Sequence, residues 1–134
     1  MRLAAIAVTL ASMAVLWGQV WAVAGSATPF DGALSSAQGN VATDEGKAFD
    51  AEIGTQFGGR HANTMARCTE GVDGPNLAPF DLLMKIGGDG KVQEVLVRPD
   101  TRVAVCLRKA VAKDIYKKPP RPGYWVRIRM SVTP

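Results

Sequence analysis

The sequence predicts an α+β domain built in the order helix, strand, strand, helix, strand. It is expected to fold as a small antiparallel three-stranded sheet with two helices on one face. Three observations carry this. Phe49, Ile53, Phe57, His61, Met65 and Cys68 recur at steps of four and three, one apolar stripe on a helix. Phe80–Ile86 and Lys91–Arg98 are strand-like runs joined by Gly87-Gly88-Asp89-Gly90, residues that a tight turn requires. Tyr124, Val126, Ile128, Met130 and Val132 alternate with Trp125, Arg127, Arg129 and Ser131, as in a strand with one buried face.

The chain of 134 residues divides into three parts. After Met1-Arg2, Leu3 to Ala24 runs without a charge and ends in the small-x-small pattern Ala22-Val23-Ala24. Residues 1–24 are therefore expected to be a signal peptide, with a second cleavage site after Ala27. The alternative is a retained membrane anchor, since a run of this length spans a bilayer. Either way the remainder is placed outside the cytoplasm, in the periplasm or secreted. Residues 25–42, rich in Gly, Ser and Ala, are expected to be a disordered leader. Residues 43–134 form the domain.

Within the domain, Thr43 is a candidate N-cap, followed by Asp44 and Glu45, whose charge suits a helix N-terminus. Gly58-Gly59 interrupts the stripe and marks a place for a kink or for a close backbone approach. Phe80, Leu82, Met84 and Ile86 share one strand face. Pro99 ends the second strand, and Asp100 or Thr101 caps a second helix. Its buried face is Val103, Cys106, Leu107, Ala110 and Val111. Lys117–Gly123 holds three prolines and is neither helix nor central strand. Phe49, Phe57, Leu82, Leu107, Ile128 and Met130 are expected in the core.

Two cysteines follow the signal, each among apolar neighbours. In an oxidising compartment they are expected to form a Cys68–Cys106 bridge; the alternative is a pair of buried thiols. No catalytic, metal or cofactor site is expected. His61 and Cys68 share a helix face but lie about 10.5 Å apart along it, too far to hydrogen-bond. One histidine with two bridged cysteines is too few ligands for a metal. The Gly87–Gly90 loop lacks the Lys-Ser/Thr of a phosphate loop and the alternating carboxylates of a calcium loop.

Charge is uneven: residues 25–97 carry five basic and ten acidic side chains, residues 98–134 ten basic and two acidic. This basic third either balances the acidic first half or meets an anionic partner. Trp125, Arg127 and Arg129, with Lys117, Lys118 and Arg121, are the candidate binding residues, aromatic plus basic.

Residues 80–132 resemble the C-terminal domain of TonB-type energy transducers and their relatives. The residues that carry the resemblance are Phe80–Ile86, Asp89-Gly90-Lys91-Val92, Val95–Arg98, Val103–Ala112, Ile115–Pro120 and Tyr124–Val132. The resemblance implies this fold and a partner-binding sheet edge. A full transducer has an anchoring helix and a long Pro-rich spacer. Here a cleavable signal, a short leader, an acidic helix and a cysteine pair stand instead. The expected function is a non-enzymatic interaction module of the cell envelope that binds another envelope protein or an anionic envelope polymer. Nucleic acid is not expected as a partner, nor is stable membrane insertion once the signal is cleaved. A membrane-anchored TonB-like transport accessory is the alternative if it is retained.

Overall fold

The computed structural model describes residues 28–133, and the expected signal peptide lies outside them. Three helices and one sheet appear in the order α1 (Pro29–Asn40), α2 (Asp44–Thr69), β1 (Phe80–Ile86), β2 (Val92–Arg98), α3 (Arg102–Val111) and β3 (Tyr124–Met130). A short 3₁₀ turn, Gly74–Leu77, precedes β1. The sheet is antiparallel with the order β2-β1-β3, so β1 is central and β2 and β3 are edges.

The caps follow the local chemistry. Thr43 accepts from the Gly46 N–H and Thr101 from the Ala104 N–H, each satisfying a donor that the first helical turn leaves free. Gly58-Gly59 does not break α2, which runs unbroken for 26 residues. At the hairpin, Gly90 has φ +84°, and a Cβ there would stand 2.2 Å from the Tyr116 carbonyl oxygen. Only glycine fits both demands.

The core lies between the sheet and the helices α2 and α3. Phe49, Ile53 and Phe57 from α2 meet Val103, Leu107 and Val111 from α3 over Leu82, Met84, Ile86, Tyr124 and Val126. Ile128 and Met130 are half-buried at its margin. The strand register is the expected one: Val126 is buried, Ile128 is packed against the core, and Arg129 on the other face is exposed. Cys68, at the end of α2, is bonded to Cys106 in α3, with 5.7 Å between the Cα atoms.

The expectation of a disordered leader over residues 25–42 is corrected for its described part. Thr28 caps α1 in a capping box: its hydroxyl accepts from the Asp31 N–H, and the Asp31 carboxylate accepts from the Thr28 N–H. Pro29 occupies the first turn, where its missing N–H costs nothing. Phe30, Ala33 and Ala37 then fall on one side and are buried against Leu83, with Leu34, Leu96 and Trp125 packed around them. The sheet is thus covered on both faces, by α2 and α3 on one and by α1 on the other. A leader rich in small residues forms a helix because its few apolar side chains have a complementary patch to cover.

Candidate functional site

The six candidate binding residues do not form one exposed aromatic-basic face. Trp125 is half-buried and packs with the α1 cluster. Arg127 Nε donates to Asp81 Oδ1 at 3.0 Å, across the β1–β3 pair. Lys117 Nζ meets Glu52 Oε2 at 2.9 Å, which returns the acidic helix to the basic loop. Arg121 donates to the Asn40 side chain and lies 5.0 Å above the Tyr124 ring. Lys118 and Arg129 are exposed and have no ion pair among the described residues.

Asn40, at the end of α1, is the joint that sequence reasoning missed. Its side-chain amide donates to the Trp125 carbonyl at 3.0 Å, and its own carbonyl accepts from the Tyr124 hydroxyl at 3.4 Å. Burial, foremost, raises the Tyr124 hydroxyl above its ordinary pKa, so it remains a donor.

That Asn40 contact also orients the β3 edge. The Trp125 carbonyl points away from β1, and in an antiparallel pair a residue turns its N–H and C=O to the same side. Arg127 and Arg129, two and four residues on, therefore present both backbone groups outward. Among the described residues neither takes part in a further backbone hydrogen bond on that side. The edge is closed by Asn40 at Trp125 and open from Arg127 onward.

Beside the open stretch lies an apolar groove of about 280 Å³. Phe57, His61, Ile128 and Met130 line it, and Gly54, Gly58 and Ala62 leave room along the wall that α2 forms. A Cβ at Gly54 or at Gly58 would meet nothing within 4 Å. An extended segment paired to Arg127 and Arg129 would direct every second side chain into this groove, because strand side chains alternate between faces.

A buried polar cluster adjoins it. The Asp114 carboxylate accepts from the Tyr116 hydroxyl at 2.6 Å and hydrogen-bonds His61 Nε2, with Arg60 Nη1 at 3.8 Å. Arg60 also donates to the Ile115 carbonyl at 2.8 Å and covers the Tyr116 ring at 4.5 Å. Burial first, and then the hydrogen bond to Asp114, push the Tyr116 hydroxyl far above its ordinary range, so it stays protonated and donating. Thr64 Oγ1 lies 3.4 Å from His61 Nδ1, which lines up hydroxyl, imidazole and carboxylate. Thr64 stands inside α2, where the backbone N–H groups are already bonded along the helix. Among the described residues, the N–H groups next to Thr64 are thus taken up by the helix rather than free to meet a developing oxyanion, as acyl transfer needs. The cluster instead ties α2 to the segment after α3. Asp114→Ala is expected to cost about 3 kcal/mol, because His61 and Tyr116 lose a buried charged partner. Urea denaturation measures the loss; an unchanged midpoint would contradict the role given to Asp114.

Among the described residues no helix is long and apolar enough to cross a membrane, and no three of His, Cys, Asp and Glu are placed to hold a metal ion. Comparison with protein-family models, with curated proteins and with solved structures gives no match.

Proposed function

We propose that this chain is an exported interaction module of the cell envelope which takes up an extended segment of another envelope protein along β3. The observation that carries the reading is the open backbone edge at Arg127 and Arg129 lying directly beside the apolar groove. Backbone pairing supplies affinity that does not depend on sequence, and the groove selects apolar side chains at alternate positions. The Cys68–Cys106 bridge is compatible with an oxidising compartment, as export would provide. The order strand, strand, helix, strand over β1, β2, α3 and β3 is what supports a TonB C-terminal-like reading of residues 80–132. The chemistry of the site is that of binding rather than turnover.

Two substitutions that spare the fold test it. Arg129→Pro removes an outward N–H and no ladder bond, a change that edge strands accept. Gly58→Leu fills the groove, and it favours the helix by close to 1 kcal/mol through propensity alone. Each is expected to abolish capture of the partner that the wild-type chain crosslinks in envelope extract, whereas Lys118→Gln leaves capture intact. Capture that survives both substitutions in folded protein would exclude the β3 edge.

A further inference from the structure

The ten basic residues between Arg98 and Arg129 are not equivalent in the fold. Four are taken up internally: Arg98 by Asp31, Lys117 by Glu52, Arg127 by Asp81 and Arg121 by the Asn40 side chain. Of the other six, four belong to α3 and the turn after it: Arg102, Arg108, Lys109 and Lys113. Among the described residues no carboxylate lies within 4 Å of any of them.

Their placement follows from the helix period. Val103, Ala104, Leu107 and Val111 are the buried face of α3. Arg102, Lys109 and Lys113 stand seven and eleven positions apart, close to two and three turns, and so share the outward face; all three are exposed. Half-buried Arg108 joins Lys109 on one wall of a shallow groove between α3 and the β2 edge. Glu94 is the one carboxylate lining that groove.

We infer that this α3 face docks on the anionic surface of a lipid bilayer, with its cations seated among headgroup phosphates. A straight convex row spanning roughly 16 Å, at 1.5 Å per residue, meets a plane at all of its charges together. Residues 102–113 include no aromatic side chain on which bases of a single-stranded nucleic acid would stack. The face is charge-complementary to phosphate-bearing lipid, and among the described residues no ion pair neutralises it. It also leaves the β3 site free, because α3 packs over the β2 side and β3 is the opposite edge. The inference is independent of the peptide-binding reading.

The test compares partition of the full chain onto phosphatidylglycerol-containing and phosphatidylcholine vesicles. Taking the ratio cancels the contribution of apolar residues 3–24. Lys109→Gln with Lys113→Gln is expected to lower the ratio about thirtyfold, at roughly fivefold per charge near an anionic surface. Lys118→Gln with Arg129→Gln, the other two cations of residues 98–129 that have no internal partner among the described residues, is expected to change it less than about twofold, because those charges face elsewhere and exposed charges are screened beyond about 8 Å. Circular dichroism verifies that both variants are folded. Equal losses in the two pairs would reduce the effect to net charge and overturn the assignment. So would a wild-type ratio near one, or binding to a soluble polyanion without binding to anionic vesicles.

Discussion

Gly46→Ala is expected to destabilise the fold by at least about 2 kcal/mol, while the same change at Gly58, in the same helix, stabilises it. Alanine is normally the better helix residue by about 1 kcal/mol, so opposite signs isolate a tertiary effect. A Cβ at Gly46 would stand 1.7 Å from the Asn40 carbonyl oxygen and 2.9 Å from the Tyr124 hydroxyl. Neither is the free end of a flexible side chain. The carbonyl is backbone at the end of α1, and the hydroxyl belongs to a buried tyrosine held edge-on to Phe49 at 5.1 Å. Relief requires α1 to shift, and with it the Asn40 amide that closes the β3 edge at Trp125. At Gly58 a Cβ meets open space. Urea midpoints of the two variants against wild type give the answer, and a gain at both positions would remove the claimed contact. Hydrogen exchange at α1 in Gly46→Ala should rise before that of the main core, since a protein opens first where its packing is weakest.

Loss of the Cys68–Cys106 bridge is expected to cost about 4 kcal/mol, from a closed loop of 38 residues on the chain-entropy account. That loop contains β1 and β2, so the bond ties α2 to α3 around the hairpin. A domain of this size has a stability of roughly 5–15 kcal/mol, so the loss is a large share of the whole. The wild-type urea midpoint should fall on adding reductant, whereas that of Cys68→Ser with Cys106→Ser should not respond. Labelling of unreduced, denatured chain should find no free thiol. Two labelled thiols, or a midpoint indifferent to reductant, would contradict the bond's role.

Both predictions concern joints, and they show where sequence reasoning succeeds. The α2 stripe, the period-two faces of β1 and β3 and the buried face of α3 were legible because side-chain periodicity reports which side of an element is apolar. The cysteine pair was legible because the chain holds two cysteines, each among apolar neighbours, and a bridge is what an expected oxidising compartment favours. α1 carried its own signal, Thr28-Pro29-Phe30-Asp31 followed by Phe30, Ala33 and Ala37 at helical spacing. The abundance of Gly, Ser and Ala hid it, since three small or single apolar residues define a helix only when a partner surface waits for them.

The site was less legible than the fold. Trp125, Arg127 and Arg129 were placed correctly on the face away from the α2–α3 core. The alternation in β3 does not say what covers that face, and α1 does so at Trp125 while Asp81 holds Arg127. Nor does any local pattern bring Asp114 to His61 across 53 residues, or leave Gly54 and Gly58 facing Ile128 and Met130. Period, caps and composition within short windows made α2, α3, the three strands, their apolar faces and the cysteine pair legible, but not α1. Which cations are neutralised, which sheet edge stays open and where a groove remains became visible in the folded chain alone. Each of those depends on distances between residues far apart in the chain.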